Sequence, residues 1–237
     1  MKTQYIKEKK HVSLRKRKMI WKYPKGELIQ QRKASRPLRM LFASYGFNSP
    51  IMREKFSRII PQDDSLQEKT CLIIPYAGFD STNTFEREKQ GLIEFGFNPD
   101  KIKLAENQFD ISASMPNYIY IPGGDPFKLL HTLNCLDMLH EIKECVREKR
   151  AVYIGISAGA YVASPSIRYV VQLEDNNVIN DGLFDSLGLV SECLICHYDH
   201  HSYTTLKVCE EKSENKAMTI NDDQLLMWED GKWSYIE

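Results

Sequence analysis

The chain has 237 residues, of which 42% are hydrophobic and 11% aromatic, and its formal net charge at pH 7 is zero. This size suits one large α/β domain or two small ones, with enough apolar residues for a buried core. No apolar run approaches the ~20 residues that span a bilayer, and the N-terminus lacks the apolar core of a signal peptide. We therefore expect a cytoplasmic protein rather than a membrane-spanning or secreted one.

The net charge of zero conceals an asymmetry along the chain. Residues 1–39 hold 14 Lys and Arg against two Glu, whereas residues 40–237 hold 18 basic and 30 acidic residues. A basic leader can bind nucleic acid or a membrane surface. It can equally dock on the acidic body, remain a solvated arm, or be an upstream extension of a protein that starts at Met19 or Met40. We favour these three explanations (docking, a solvated arm or an upstream extension) over nucleic-acid binding. We predict that residues 40–237 form one domain.

From residue 39 onward, strand-like apolar runs alternate with charged segments of helical period. The predicted strands are Arg39–Ser44, Thr70–Pro75, Lys101–Leu104, Tyr118–Ile121, Ala151–Ile156, Leu189–Cys196, Gln224–Glu229 and Lys232–Ile236. The predicted helices span 49–60, 84–95, 126–133, 136–149, 158–164 and 203–212. Short strands rich in Val, Ile and Leu between helices indicate a largely parallel sheet covered on both faces. Asp230-Gly231 predicts an antiparallel hairpin near the C-terminus. The fold class is therefore α/β, a three-layer sandwich with a largely parallel mixed sheet.

The most informative motif lies in the segment Ala151–Ala160. A strand-like run leads directly into Gly155-x-Ser157-x-Gly159, the pattern of a nucleophile elbow. Glycine has no Cβ, so the chain can turn tightly and the next helix can approach the strand. Ser157 then stands at the tip of the turn, and the Ala158 N–H faces a developing oxyanion. The alternative is a purely structural turn.

Two further loops are predicted at the same edge of the sheet as Ser157. They are 122–126, which contains Gly123-Gly124, and 75–79. Sites in open α/β sheets form beyond the carboxyl ends of the strands, so we expect these loops to converge. The Gly124 N–H offers a second oxyanion donor. The alternative for this loop is a plain turn before the helix that begins at Pro126.

A serine nucleophile needs a base, and histidine is the usual one because its pKa lies near neutral. Of the six histidines, His197 is the best candidate because it directly follows a predicted strand, with His200 and His201 as close rivals. A carboxylate should orient the imidazole. Spacing alone does not choose among the candidates, which are Glu174, Asp175, Asp222 and Asp223.

Two patterns raise the question of a metal or redox site, namely Cys193-x-x-Cys196 and His197-x-x-His200-His201. The cysteine pair has no second pair of matching spacing and lies in a strand-like run, which favours packed, reduced thiols. Apart from Asp199, no further ligand completes a tetrahedral set around the histidines. We therefore expect neither a metal nor a cofactor.

Three blocks of residues 38–237 together resemble the peptidase E family, the aspartyl dipeptidases among the serine peptidases. They are Tyr120–Leu130, similar to the Gly-Gly-Asn-Thr-Phe-x-Leu-Leu block of that family, Tyr153–Ala160, similar to its Ser-Ala-Gly-Ala elbow, and Leu187–Tyr198, similar to its strand before the histidine. The resemblance implies the fold of the class I glutamine amidotransferases. It also implies hydrolysis of short peptides, with N-terminal Asp preferred.

The resemblance implies a role for each matching residue. Ser157 would be the nucleophile and His197 the base, with the N–H groups of Gly124 and Ala158 as oxyanion donors. Asp222 ranks first as partner of the imidazole and Asp175 second. Asp125 and Tyr198 match substrate-binding positions.

The chain departs from the family pattern at two places. Asp125-Pro126 stands where Asn-Thr is usual, and the segment after His197 lacks the arginine expected to pair with an N-terminal aspartate. Lys207 or Lys212 is a candidate substitute. Hydrolysis is therefore better supported than the Asp preference.

The leading prediction is a cofactor-free serine peptidase for short peptides, acting as a monomer or homodimer. One alternative is a non-catalytic binding or regulatory module on the same fold, because fold does not fix function. A cyanophycinase-like hydrolase shares the serine elbow, but its arginine-rich stretch after the histidine is absent. An α/β-hydrolase esterase is disfavoured because there is no His-Gly-Gly-Gly-type motif.

Overall fold

A seven-stranded sheet organises the computed structural model, which describes residues 37–148, 151–173, 182–200, 203–213 and 215–237. The strands in these residues are β1 (Arg39–Ala43), β2 (Cys71–Ile73), β3 (Ile102–Leu104), β4 (Tyr118–Ile121), β5 (Val152–Ile156), β6 (Cys193–Cys196), β7 (Ala217–Ile220), β8 (Leu225–Glu229) and β9 (Lys232–Ile236). The α-helices are α1 (Pro50–Ser57), α2 (Asp64–Gln67), α3 (Ser81–Phe95), α4 (Gln108–Ser114), α5 (Pro126–Cys135), α6 (Met138–Arg147), α7 (Ala158–Tyr161) and α8 (Tyr203–Ser213).

The strand order in the main sheet is β3-β2-β4-β5-β1-β8-β9. The first five strands in this order are parallel to one another. Strand β8 pairs antiparallel with β1, and β9 pairs antiparallel with β8. Asp230 and Gly231 connect β8 to β9 with φ angles of 44° and 90°, the left-handed region that a tight hairpin turn requires. The predicted mixed, largely parallel sheet and its terminal hairpin are confirmed.

Both faces of the sheet are covered by apolar side chains. Along β1, Met40 and Phe42 belong to one buried cluster, and Leu41 and Ala43 belong to another. Successive side chains of a strand point to opposite faces, so the two clusters lie on opposite sides of the sheet. The predicted three-layer arrangement is thus confirmed, and it explains why the strands read as continuous apolar runs.

The strand before His197 differs from the prediction. It begins at Cys193 rather than Leu189, and it pairs in parallel with β7 as a separate two-stranded sheet. The Leu187 N–H donates to the Val162 carbonyl and the Leu189 N–H to the Ala163 carbonyl. These residues therefore pack beneath the turn that follows α7 and do not extend the strand. The sequence patterns also missed α2, α4 and β7, which are all short.

The Cys193-x-x-Cys196 pair lies on β6, and both side chains are buried. Burial raises the pKa of the Cys196 thiol to about 12. A thiol that stays protonated is a poor nucleophile and a poor metal ligand, which agrees with the expected packing role.

No helix in the described part of the chain is both long and apolar enough to cross a membrane. The basic leader lies outside the described residues up to residue 36, and β1 begins at Arg39. The predicted division at residues 39 and 40 therefore stays a prediction.

Candidate active site

Ser157 lies between β5 and α7 at a sharply turned position of the backbone. Its φ is 47° and its ψ is −105°, a conformation that non-glycine residues rarely adopt and that tends to occur at functional sites. The Ser157 N–H donates to the Ala43 carbonyl at 2.9 Å, which ties the turn to β1. A Cβ on Gly159 would lie 2.1 Å from the Ile121 carbonyl oxygen. Glycine at 159 is therefore what lets α7 approach β4 so closely.

His197 follows β6 and faces Ser157. Its Nε2 lies 3.2 Å from Ser157 Oγ, and its ring meets the Tyr45 ring edge-on with centroids 5.2 Å apart. The His197 backbone also has positive φ, 53°, and its N–H donates to Ser44 Oγ at 2.9 Å. The side chain and the backbone of His197 are thus both held by residues of the main sheet and its loops.

Asp222 completes a chain of three polar side chains. Its Oδ1 lies 2.6 Å from His197 Nδ1. With the proton on Nδ1, the ring donates to the carboxylate, and the lone pair of Nε2 can accept the hydrogen of the Ser157 hydroxyl. The neighbouring Asp223 is exposed, and Asp175 and Glu174 lie outside the described residues. Among the described candidates, the geometry brings Asp222 to the imidazole.

The loop before α5 passes directly over Ser157. A Cβ on Gly123 would lie 3.2 Å from the Ser157 Cβ. Gly124 has φ of 140°, and a Cβ there would lie 2.3 Å from the Ala77 carbonyl oxygen. No described atom accepts the Gly124 N–H. Ala158 opens α7, where an N–H has no acceptor within its own helix. Gly124, which lines the same cavity as Ser157, and Ala158, the next residue after the serine, are therefore two candidate backbone donors.

The other predicted site residues lie elsewhere. Asp125 caps α5, because its Oδ1 accepts the N–H groups of Phe127 and Lys128 at 2.9 and 3.0 Å. Tyr198 packs against the main apolar cluster. Neither residue lines the cavity at Ser157, so their contact with substrate stays a prediction.

Of the candidate substitutes for the missing arginine and the rival histidines, only Lys207 has a described side chain. Lys207 is exposed on α8 and does not line the cavity. The side chains of Lys212, His200 and His201 lie outside the described residues, so the alternative metal cluster also stays a prediction.

An open cavity of about 440 Å³ contains Ser157 and His197. Sequence analysis missed most of its walls, which are Ser44, Tyr45, Gly46, Asn48 and Ser49 after β1, Arg87 and Glu88 on α3, and Tyr120 and Ile156 on the sheet. One signal was available for Glu88. It lies on the buried face of α3 together with Thr84, Leu92 and Phe95, where a helix normally presents apolar residues to the core.

This fold, with Ser157 at a sharp strand-to-helix turn beside His197 and Asp222, is of the kind that hydrolases use. Comparison with known proteins agrees, because the model of peptidase family S51 matches residues 42–236. The chain belongs to peptidase family S51, and it is therefore a peptidase.

Individual relatives carry consistent names. An uncharacterized peptidase of Listeria innocua is 26% identical over 196 residues, covering 74% of this chain and 93% of its own. A Drosophila melanogaster protein named "Probable alpha-aspartyl dipeptidase" is 30% identical over 134 residues, covering 56% and 54%. The crystal structure of a candidate peptidase E from Listeria monocytogenes EGD-e has a TM-score of 0.67 at 23% identity, covering 84% of this chain and 98% of that one. This last likeness supports the fold.

Proposed function

We propose that this protein is a serine-type peptidase that hydrolyses short peptides through an acyl-enzyme on Ser157. His197 Nε2 takes the hydroxyl proton as Ser157 Oγ attacks the scissile carbonyl carbon. Asp222 holds the imidazole by its Nδ1–H and stabilises the imidazolium. The observation that carries the proposal is the continuous chain from Ser157 Oγ to His197 Nε2, 3.2 Å, and from His197 Nδ1 to Asp222 Oδ1, 2.6 Å.

The negative charge on the attacked carbonyl oxygen needs donors that are already in place. The N–H groups of Gly124 and Ala158 are the proposed pair, supported by the position of the Gly123-Gly124 loop against Ser157. The C–N bond then breaks, and the amine leaves with the proton from His197. Water repeats the sequence on the acyl-enzyme with His197 as base, releasing the acid and restoring the serine.

Short peptides are the proposed substrates, and dipeptides with an N-terminal Asp are the first to test. The name of the Drosophila relative supports this choice, as does an open cavity of modest volume beside the serine. No metal or cofactor has a part in the proposed steps.

The test is hydrolysis of Asp-X, Asn-X, Glu-X and neutral dipeptides by the full chain. We expect Ser157→Ala and His197→Ala each to lower kcat by about 10⁴-fold or more, because the nucleophile and its base act as one unit. A fluorophosphonate probe should label the wild type and not Ser157→Ala.

Ser112→Ala is the matched control, since Ser112 lies on α4 and its Oγ donates to the carbonyls of Gln108 and Phe109 in the same helix. It should keep full activity and labelling. Hydrolysis that survives Ser157→Ala, or a folded wild type that neither cleaves any peptide nor reacts with the probe, would contradict the proposal.

A further inference from the structure

One wall of the cavity beside Ser157 is built around a buried carboxylate. Glu88 on α3 is only 5% exposed, and burying a charged group is costly unless it is paired and hydrogen-bonded. Its Oε2 accepts the Tyr120 hydroxyl at 2.7 Å and the Asn48 side-chain amide at 3.0 Å. Its Oε1 accepts Arg87 Nε and Nη2 at 3.0 and 2.8 Å. Four donors therefore fully occupy this carboxylate, and it is not free to receive a substrate ammonium.

The donors to Glu88 are themselves fixed. Burial, and next to it the Glu88 carboxylate, raise the pKa of the Tyr120 hydroxyl well above its usual value. Tyr120 therefore keeps its proton and remains a donor. A Cβ on Gly46 would lie 2.3 Å from the Tyr120 hydroxyl oxygen, so the loop after β1 closes tightly over this contact.

Arg87 is the exposed partner of this cluster. Its side chain is 61% exposed, while that of Glu88 is 7% exposed. Glu88 holds one edge of the guanidinium through Nε and Nη2. The opposite edge, formed by Nη1 and the second Nη2 hydrogen, has no partner among the residues that the structure describes. Arg87 is also the only Lys or Arg among the described residues that line the cavity.

A guanidinium edge with two parallel N–H donors matches the two oxygens of a carboxylate. We propose that Arg87, oriented by Glu88, binds a carboxylate of the peptide substrate in the cavity that contains Ser157. This assignment rests on the proposed peptidase function and names the group that the site selects. Two sources share this chemistry, namely the free C-terminus of the peptide and an acidic side chain.

The test uses four dipeptides that separate the two sources: Asp-Leu, Asn-Leu, and the C-terminal amides of both. Arg87→Gln should raise KM about tenfold to hundredfold for substrates that carry the recognised carboxylate. It should leave KM unchanged for those in which the carboxylate has become an amide. If Arg87→Gln raises KM only for the two substrates with an N-terminal Asp, Arg87 binds the acidic side chain. If it raises KM only for the two substrates with a free C-terminus, Arg87 binds the C-terminal carboxylate. Both results support the proposal.

Two variants serve as matched controls. Lys89→Gln removes one positive charge from the same helix, but Lys89 does not line the cavity, so all four KM values should stay unchanged. Arg87→Lys keeps the positive charge but lacks the two parallel N–H donors of the guanidinium. Its KM should therefore lie between those of the wild type and Arg87→Gln. Equal KM values for wild type and Arg87→Gln on all four substrates, or an equal loss that includes the Asn-Leu amide, would overturn the proposal.

A separate binding measurement keeps this proposal distinct from the peptidase function. Calorimetry measures the Kd of each of the four dipeptides for Ser157→Ala and for Ser157→Ala/Arg87→Gln. Because neither variant turns over substrate, the difference in Kd reports binding of the carboxylate alone. Wild type that binds Asp-Leu through Arg87 but cleaves nothing would contradict the peptidase proposal alone. Wild type that cleaves dipeptides with no dependence on Arg87 would overturn the carboxylate proposal alone.

Discussion

The two halves of the candidate site are built in different ways. Ser157 lies in a contiguous segment from β5 to α7, and neighbours in the main sheet hold its turn through backbone contacts. His197 and Asp222 follow the two strands of the separate β6–β7 sheet, and 24 residues lie between them in the sequence. The nucleophile is therefore set by local geometry, whereas the proposed base and its carboxylate depend on contacts between distant segments.

This difference predicts two kinds of sensitivity. The Ser157 half has little free space, so a substitution that adds atoms there should lower activity and stability. The His197 half is connected by a few polar contacts, so a substitution that removes or alters a single hydrogen-bonding atom there should lower activity. The three substitutions below test this contrast, beginning with the largest expected effect.

Asp222→Asn should have the largest effect, because it changes one atom of the most direct contact to the imidazole. An amide in place of the carboxylate no longer stabilises the imidazolium and can favour the wrong tautomer. We expect kcat to fall about 10³-fold with the free energy of unfolding nearly unchanged, measured by dipeptide hydrolysis and urea denaturation.

Asp223→Asn is the matched control, since it makes the same change at the exposed neighbouring residue. It should retain wild-type kcat. If the two variants lose activity equally, or if neither does, Asp222 is not the functional partner of His197, and Asp175 becomes the candidate.

Gly159→Ala should have the next largest effect, on stability as well as activity. The added methyl would lie 2.1 Å from the Ile121 carbonyl oxygen, so α7 must move away from β4. Overpacking of this kind costs about 1–3 kcal/mol, and the shift should also displace Ser157 from His197. Urea denaturation and kcat measure the two consequences.

Gly96→Ala separates crowding from backbone strain. Gly96 has φ of 120°, but a Cβ there would only reach ordinary contact with Leu66, at 3.7 Å. We expect that variant to lose about 1–2 kcal/mol of stability through backbone strain and no activity. A Gly159→Ala protein with wild-type stability and kcat would show that the Ser157 half tolerates added volume.

The same contrast explains which features could be predicted from the sequence. Gly155-x-Ser157-x-Gly159 and the hairpin at Asp230-Gly231 are local patterns. Only a few residue types can adopt the backbone conformations that these two turns require. The spacing of His197, Asp222 and Asp223 contains no such demand, and the choice between the carboxylates came from a family resemblance. Arg87 was missed because an exposed arginine on a helix reads as a solvated residue until the fold brings α3 to the cavity.

Ser44 provides one of the contacts between the two halves. Its side chain is buried, and its Oγ accepts the His197 N–H at 2.9 Å and lies 3.1 Å from the Ile220 carbonyl, to which it can donate. Ile220 ends β7, two residues before Asp222. One hydroxyl at the end of β1 thus fixes the backbone at His197 and near Asp222, and so sets where both side chains stand relative to Ser157.

Ser44→Ala should have the smallest of the three effects on activity. Loss of the hydroxyl leaves a part-buried N–H and a buried carbonyl without this partner, which costs about 1–3 kcal/mol, and we expect kcat to fall about tenfold with KM little changed. Ser164→Ala is the matched control, because Ser164 is also buried and accepts the Leu194 N–H of β6, the strand that leads to His197, at 3.2 Å. It should lose similar stability while keeping wild-type kcat. Of these two serines it is Ser44 that accepts the His197 N–H. An equal fall in kcat for both variants would therefore mean that general loosening of β6, rather than the Ser44 hydroxyl, controls the position of the imidazole.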